Sequence, residues 1–279
     1  LNIQDLQQQL EELQQNDYLY LYTFNLDELT STMMQHMGTI DAYTREMLIY
    51  PCFQYFIQHN LLDIAQLEVL LASCLNPDYL YFEISSSQTD GIFTRSYTLA
   101  LLALIIQYDT QHSFLTEKQL VDALEKILQY FKLEQDCRVL VPDKGYTRHI
   151  LHASSALHAL IQNPNILTIH YEKVIHCVLN TAFHYQHLYY NNEDEYIITP
   201  IIAMLQHEFP QTQFLSILTK KFQRLPQMKE RLTLTQFSIL YGNIKNFLRT
   251  LFFRAKKDMS LTNTANQIEK ILNQLPQYF

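Results

Sequence analysis

Between Asp136 and Leu160 the chain reads DCRVLVPDKGYTRHILHASSALHAL. Its second half has the composition of a helix over 146–161. On that helix Arg148, His152 and Ser155 stand at i, i+4 and i+7, the spacing of one helical face. His149 precedes His152 by three residues, and His158 follows Ser155 by three. Upstream, before the turn at Gly145, lie Asp136, Arg138, Asp143 and Lys144. A cation, an imidazole and carboxylates gathered around one turn form the part of the chain where polar side chains are expected to converge on a site.

Three chemistries use such residues. Zinc takes imidazoles, thiolates and carboxylates, and Cys137, His149, His152 and Asp136 are of those types, as is the second pair His184 and His187. Arg148, a fixed cation beside any such site, opposes a dication, so no metal is expected. A nucleophilic serine sits on a strained turn such as G-x-S-x-G, and Ser155 lies inside a helix, so it is not read as one. Acid–base work by His152 with Asp136 orienting it is chemically reasonable. Arg95, at the start of the very apolar TRSYTLALLALII, needs a carboxylate partner if buried, with Asp90, Glu134 or Asp136 available. The other reading aims it with Arg138 and Arg148 at an anion in the same groove. No phosphate loop or dinucleotide fingerprint is present, and no cofactor is expected.

The elements that must position these residues read as helices throughout. Ile3, Leu6, Leu10 and Leu13 form an apolar stripe over residues 2–15. Asn25 caps a helix over 26–37, and Asp41 opens one to about 58 that Pro51 must kink or restart. Asp63 caps 64–75, SSSQTDG lies in a loop over 76–90, and 92–108 is apolar all round. Thr116 and Gln119 form a capping box for a helix to about 133. Further helices are expected over 168–187, from the NNEDE run with Pro200 interrupting, and over 212–224, 234–255 and 262–274. Gly242 marks close packing or a bend. The expected fold is all-α over 1–279 as a single helical domain, with about twelve helices. Antiparallel hairpins stacked as an irregular repeat-like α-superhelix fit best, and a closed bundle is the competing architecture.

Composition narrows the classes. The chain has 279 residues, 48% of them hydrophobic and only 17% charged, which excludes a disordered chain; 4 Gly argue against a large all-β fold. Cys52, Cys74, Cys137 and Cys177 include no CxxC pair and read as reduced thiols. The apolar run Tyr97 to Tyr108 falls short of the roughly 20 residues a membrane helix needs, so no membrane span is expected. The start is polar and acidic, unlike a secretory signal, and Leu1 in place of Met points to a truncated start. Residues 1–210 carry 9 basic and 25 acidic side chains, whereas 211–279 carry 11 and 3. The overall net charge of −8 argues against a dedicated nucleic-acid binder. The basic C-terminal part from about 211 suits an acidic partner or homo-oligomers.

Several segments are similar to an uncharacterised bacterial family, domain of unknown function twenty-seven eighty-five. GTIDAYTRE (38–46) resembles its Gly-x-x-Asp-x-x-x-Arg-Asp segment, and DGIFTRSYTLALLALIIQYD (90–109) its Arg-Ser-Phe helix. EQDCRVLVPDKGYTRHILH (134–152) resembles its central Glu-x-Asp-x-Arg-Gly…Gly-Trp-x-His-x-x-x-His motif, and NIKNFLRTLFF (243–253) its C-terminal segment. Here Tyr146 stands for the Trp, Arg148 for the first His, Ser155 for an Asp and Val139 for a Gly, while His152 keeps the second His. The resemblance implies a cytoplasmic, all-helical protein with a polar site near this helix, and carries no activity. The combined expectation is a binding protein whose groove, lined by Arg95, Asp136, Arg138, Tyr146, Arg148 and His152, takes a protein partner or small anion. The alternative is a metal-dependent or acid–base hydrolase-like enzyme, possibly degenerate through Arg148 and Ser155, that uses His152 and Asp136.

Overall fold

The computed structural model describes residues 2–86, 88–207 and 209–275. Leu1 and Ser87, the latter part of the expected loop, lie outside them. The chain divides into two compact units, Leu1–Asn165 and Ile166–Phe279. It is 73% helical with a single two-strand hairpin among the described residues, so the all-α expectation holds. A regular stack of helical hairpins forming a superhelix is not evident in either unit.

Unit 1 contains α1 (Ile3–Gln15), α2 (Leu26–Gln35), α3 (Tyr50–Gln58), α4 (Ile64–Cys74), the short α5 (Pro77–Leu80), α6 (Gly91–His112), α7 (Glu117–Leu133), the hairpin β1 (Leu140–Val141) and β2 (Gly145–Tyr146), and α8 (His149–Gln162). The long apolar segment becomes α6, buried around its whole circumference with α8 lying along it. By length and composition α6 could cross a membrane, but 83% of its most apolar window is buried inside the protein. That is the behaviour of a core helix, whose apolar surface is covered by neighbouring helices. Expected caps are formed: Asn25 on α2, and capping boxes at Asp63 with Gln66 and at Thr116 with Gln119. Each satisfies amides that the first helical turn leaves without partners.

Pro51 has a specific consequence. It lacks an N–H, so the Met47 carbonyl four residues earlier has no helical donor. Gln14 from α1 supplies one, its Nε2 donating to Met47 O at 2.9 Å. The turn before it, Thr44–Ile49, is wound as a π-helix, with the Tyr50 amide reaching back to Arg45 O. Such turns are uncommon and often accompany functional sites. This one carries Arg45 and Glu46.

Unit 2 contains α9 (Tyr171–Ala182), α10 (Glu193–Gln206), α11 (Gln211–Phe222), α12 (Leu225–Arg231), α13 (Leu234–Lys256) and α14 (Thr262–Gln274), with α13 packed against α10 and α14. Two readings need correction. The helix expected over 168–187 stops at Ala182 after a short 3₁₀ start, and α10 continues through Pro200 rather than breaking there. Gly242 does mark close packing: a Cβ there would stand 2.9 Å from the Leu188 side chain.

Candidate functional site

The expected polar residues all lie in unit 1, but they form two different arrangements. The first is closed. Residues 134–138, between α7 and the hairpin, carry Glu134, Asp136 and Arg138, and the Asp136 amide donates to Glu134 Oε1 at 3.0 Å. Arg95, 1% exposed, meets Glu134 with two prongs: Nε donates to Oε2 at 2.7 Å and Nη2 to Oε1 at 3.0 Å, while Nη1 donates to Phe82 O. Arg138 is held by Asp136 in the same way, with Nε at 2.9 and 3.0 Å from its two oxygens and Nη2 at 2.6 Å from Oδ2. Burial opposes the charge on Asp136, but the Arg138 bonds outweigh it and hold the carboxyl below its usual range. Planar guanidinium and carboxylate forks match in geometry, which makes these the strong kind of ion pair.

Arg95 and Arg138 therefore face separate carboxylates rather than a common point. The Asp136 carboxylate is engaged by Arg138, and the His152 ring is oriented elsewhere, so the His152–Asp136 pair weighed for acid–base work is not formed.

The second arrangement centres on His152. Gly145 shapes the turn that precedes α8. Its φ of +93° suits only glycine, and a Cβ there would lie 3.1–3.2 Å from Ala42, Arg45 and Glu46. The hairpin thus approaches the π-helical turn closely, and Arg45 Nη2 donates to Lys144 O at 2.7 Å and to Glu46 Oε1 at 3.0 Å. Arg45 is fully buried, with its guanidinium 4.0 Å from the Phe93 ring centre and 5.2 Å from that of Tyr97. Its Nε is buried without a hydrogen-bond partner.

Arg148 does not begin the helix, as its spacing suggested. It is the residue before α8, held in the left-handed region at φ 54°. That conformation is costly for a side chain with a Cβ, and backbone strain of this kind gathers at functional sites. It breaks the expected Arg148–His152–Ser155 stripe and turns Arg148 outward. Its guanidinium lies 5.6 Å from the Tyr146 ring centre, and Nη2 is 3.4 Å from Glu46 Oε2. Glu46 thus serves two arginines, one buried and one 41% exposed at its side chain.

His152 is 8% exposed. Its Nδ1 lies 2.9 Å from Ser96 Oγ and 3.1 Å from Ser96 O. The Ser96 hydroxyl spends its only proton on Thr147 O at 2.5 Å. Both groups facing Nδ1 are then acceptors, so Nδ1 carries the ring proton and Nε2 keeps a lone pair. Among the described residues nothing hydrogen-bonds Nε2. The Tyr97 ring stands edge-on to the imidazole with centres 4.9 Å apart, and Tyr50 flanks it at 6.1 Å. Burial pushes the His152 pKa down to about 3; Arg148, His149 and Arg45 add to this against the pull of the Ser96 carbonyl. The imidazole is neutral at ordinary pH, a hydrogen-bond acceptor and a poor proton donor. Ser96, fully buried and already donating to a carbonyl, is no nucleophile despite its histidine neighbour.

Among the described residues no three His, Cys, Asp or Glu side chains come together as a metal site. The family model for the protein of unknown function DUF2785 matches residues 80–253. The chain belongs to this family. No curated protein and no solved structure matches it. The DUF2785 match takes in Arg95, Ser96, Glu134, Arg138 and His152, and stops short of Arg45 and Glu46, which the fold adds to the same site. Reading by residue type around position 148 missed Arg45, Glu46, Ser96, Tyr50 and Tyr97. Two signals were available: the family-like segments GTIDAYTRE and DGIFTRSYTLALLALIIQYD contain Arg45, Glu46 and Ser96, and Pro51 forces an irregular turn where Arg45 and Glu46 stand.

Proposed function

We propose that this DUF2785 protein is a binding protein, and that unit 1 takes a small anion bearing a hydroxyl or amine donor at His152. The observation carrying this reading is the His152 ring, fixed through Nδ1 and neutral, with its Nε2 lone pair left without a partner. Arg148 supplies the charge. Arg45 and Arg148 share the carboxylate of Glu46, Asp41 also acts on Arg45, and the contact of Arg148 to Glu46 is the long, exposed one. An anionic group replaces Glu46 on Arg148 while a neighbouring O–H or N–H donates to Nε2. The hydrolase alternative has less support, because a base whose conjugate acid titrates near 3 is a weak one.

The test is histidine side-chain ¹⁵N NMR of the full chain, titrated with lactate, 2-aminoethyl phosphate and, as a donor-free control, acetate. Binding of either donor-bearing anion, but not acetate, is expected to move the His152 Nε2 resonance saturably, and Arg148→Gln is expected to remove that response. An Nε2 resonance unmoved by every anion at about 10 mM, or moved equally by acetate, overturns the reading.

A further inference from the structure

A separate cleft in unit 1, of about 480 Å³, lies between α2 and α4 with Tyr79 of α5 at its edge. Its size falls within the range of small-molecule sites. The floor is apolar, formed by the buried Met34 and Leu70, and Val69 supplies an exposed wall. Two carboxylates, Asp27 and Asp63, also line it, and no lysine, arginine or histidine does. Gln66 ties the two together with both ends of its amide. Its Nε2 donates to Asp27 Oδ1 at 2.6 Å, and its Oε1 accepts from the Asp63 amide at 2.9 Å. Asp63 Oδ1 in turn caps α4 through the Gln66 amide at 2.8 Å.

Each carboxylate thus has one oxygen engaged, and among the described residues neither forms an ion pair. Asp27 and Asp63 are both exposed and stand at the N-termini of α2 and α4. The described residues supply no cation to this cleft, whose apolar floor is sized for a small organic body.

We propose that this cleft binds an organic cation, an ammonium group on an apolar body, with the ammonium between Asp27 and Asp63 and the body over Met34, Leu70 and Val69. The attraction is electrostatic and partly solvated, so it weakens with salt. The site is independent of His152.

Calorimetric titration of the full chain with phenethylammonium, and with its neutral and anionic counterparts 3-phenylpropanol and 3-phenylpropionate, tests the proposal. The cation alone is expected to bind saturably. The double variant Asp27→Asn, Asp63→Asn is expected to weaken it roughly tenfold, while Arg148→Gln leaves it unchanged. Asparagine still accepts from Gln66 and still caps a helix, so an unchanged thermal midpoint separates lost binding from lost folding. Equal binding of all three probes, no saturable binding at about 10 mM, or full affinity in the double variant overturns the proposal. Self-association of the wild-type chain that the double variant abolishes would assign the cleft to a second copy and also overturn it.

Discussion

Two buried side chains, one in each unit, tie separate segments together by hydrogen bonding, and they differ in how much bonding capacity is left over. In unit 2, Asn243 is 2% exposed; its Nδ2 donates to His184 O and His187 O, both at 2.9 Å, and its Oδ1 accepts from the Tyr189 amide at 2.9 Å. Both amide protons and the oxygen are spent on backbone, which holds the loop after α9 against α13. In unit 1, His152 ties α8 to α6 through Nδ1 alone and keeps Nε2 unused. A residue whose groups are all satisfied is a clasp. One held rigidly with a lone pair to spare is a clasp with bonding capacity left over. The same contrast separates Arg95, doubly bound to Glu134, from Arg148, loosely placed on Glu46.

The largest expected effect comes from the clasps. Arg95→Leu leaves Glu134 buried without its cation and should destabilise by about 3–5 kcal/mol, measured by denaturant unfolding. A loss under about 1 kcal/mol would show that the pair is solvated and the closed arrangement is not closed.

Asn243→Ala strands two carbonyls and an amide and should cost about 3 kcal/mol, read as a lower unfolding midpoint and faster amide exchange at Tyr189. Unchanged exchange at Tyr189 would mean that the loop is held by packing alone.

His152 predicts a pH dependence. Its folded pKa, near 3, lies below the value of about 6.5 for an unfolded histidine. The unfolded chain therefore binds the extra proton first as pH falls, and stability is lost from about pH 6.5 down to about 3. Between pH 7 and 4.5 this amounts to roughly 2–3 kcal/mol. Asp136, also lowered, adds a loss in the same direction at the acid end. His152→Gln should flatten the curve between pH 6.5 and 4.5; a variant with the wild-type slope would place the titration elsewhere.

The smallest effect is expected at Arg148. Arg148→Gly removes left-handed strain and gives up only an exposed ion pair, so stability should rise by about 0.5 kcal/mol, while the response of His152 to anions disappears. A loss above about 1 kcal/mol would make Arg148 a structural residue like Arg95 and erase the contrast between the two.

Much of the helical framework was legible because its signals are local. Asn25, Asp63 and Thr116 cap helices from within three residues, and the unbroken apolar run of α6 announces a buried element. Pro200 misled because a proline inside a helix is tolerated when the surrounding helices pack around it. The stretch from Asp136 to His152 was legible as polar and purposeful, yet its internal arrangement was not. Arg148 lies one residue before the helix its spacing seemed to join, and the difference between a helical and a left-handed residue there is set by the hairpin that precedes it.

The amino-acid sequence alone determined the helical class, the caps, the buried α6 and the segment that carries His152, since periodicity and capping act over a few residues. Only the tertiary structure decided which carboxylate each arginine takes, because Glu134 is 39 positions from Arg95 and Glu46 is 102 from Arg148. It also decided that Ser96 rather than Asp136 faces the imidazole. Hydrogen-bond partners are chosen by distances of about 3 Å, and residues so far apart along the chain come that close only when α6, α8 and the turn before Pro51 are packed together.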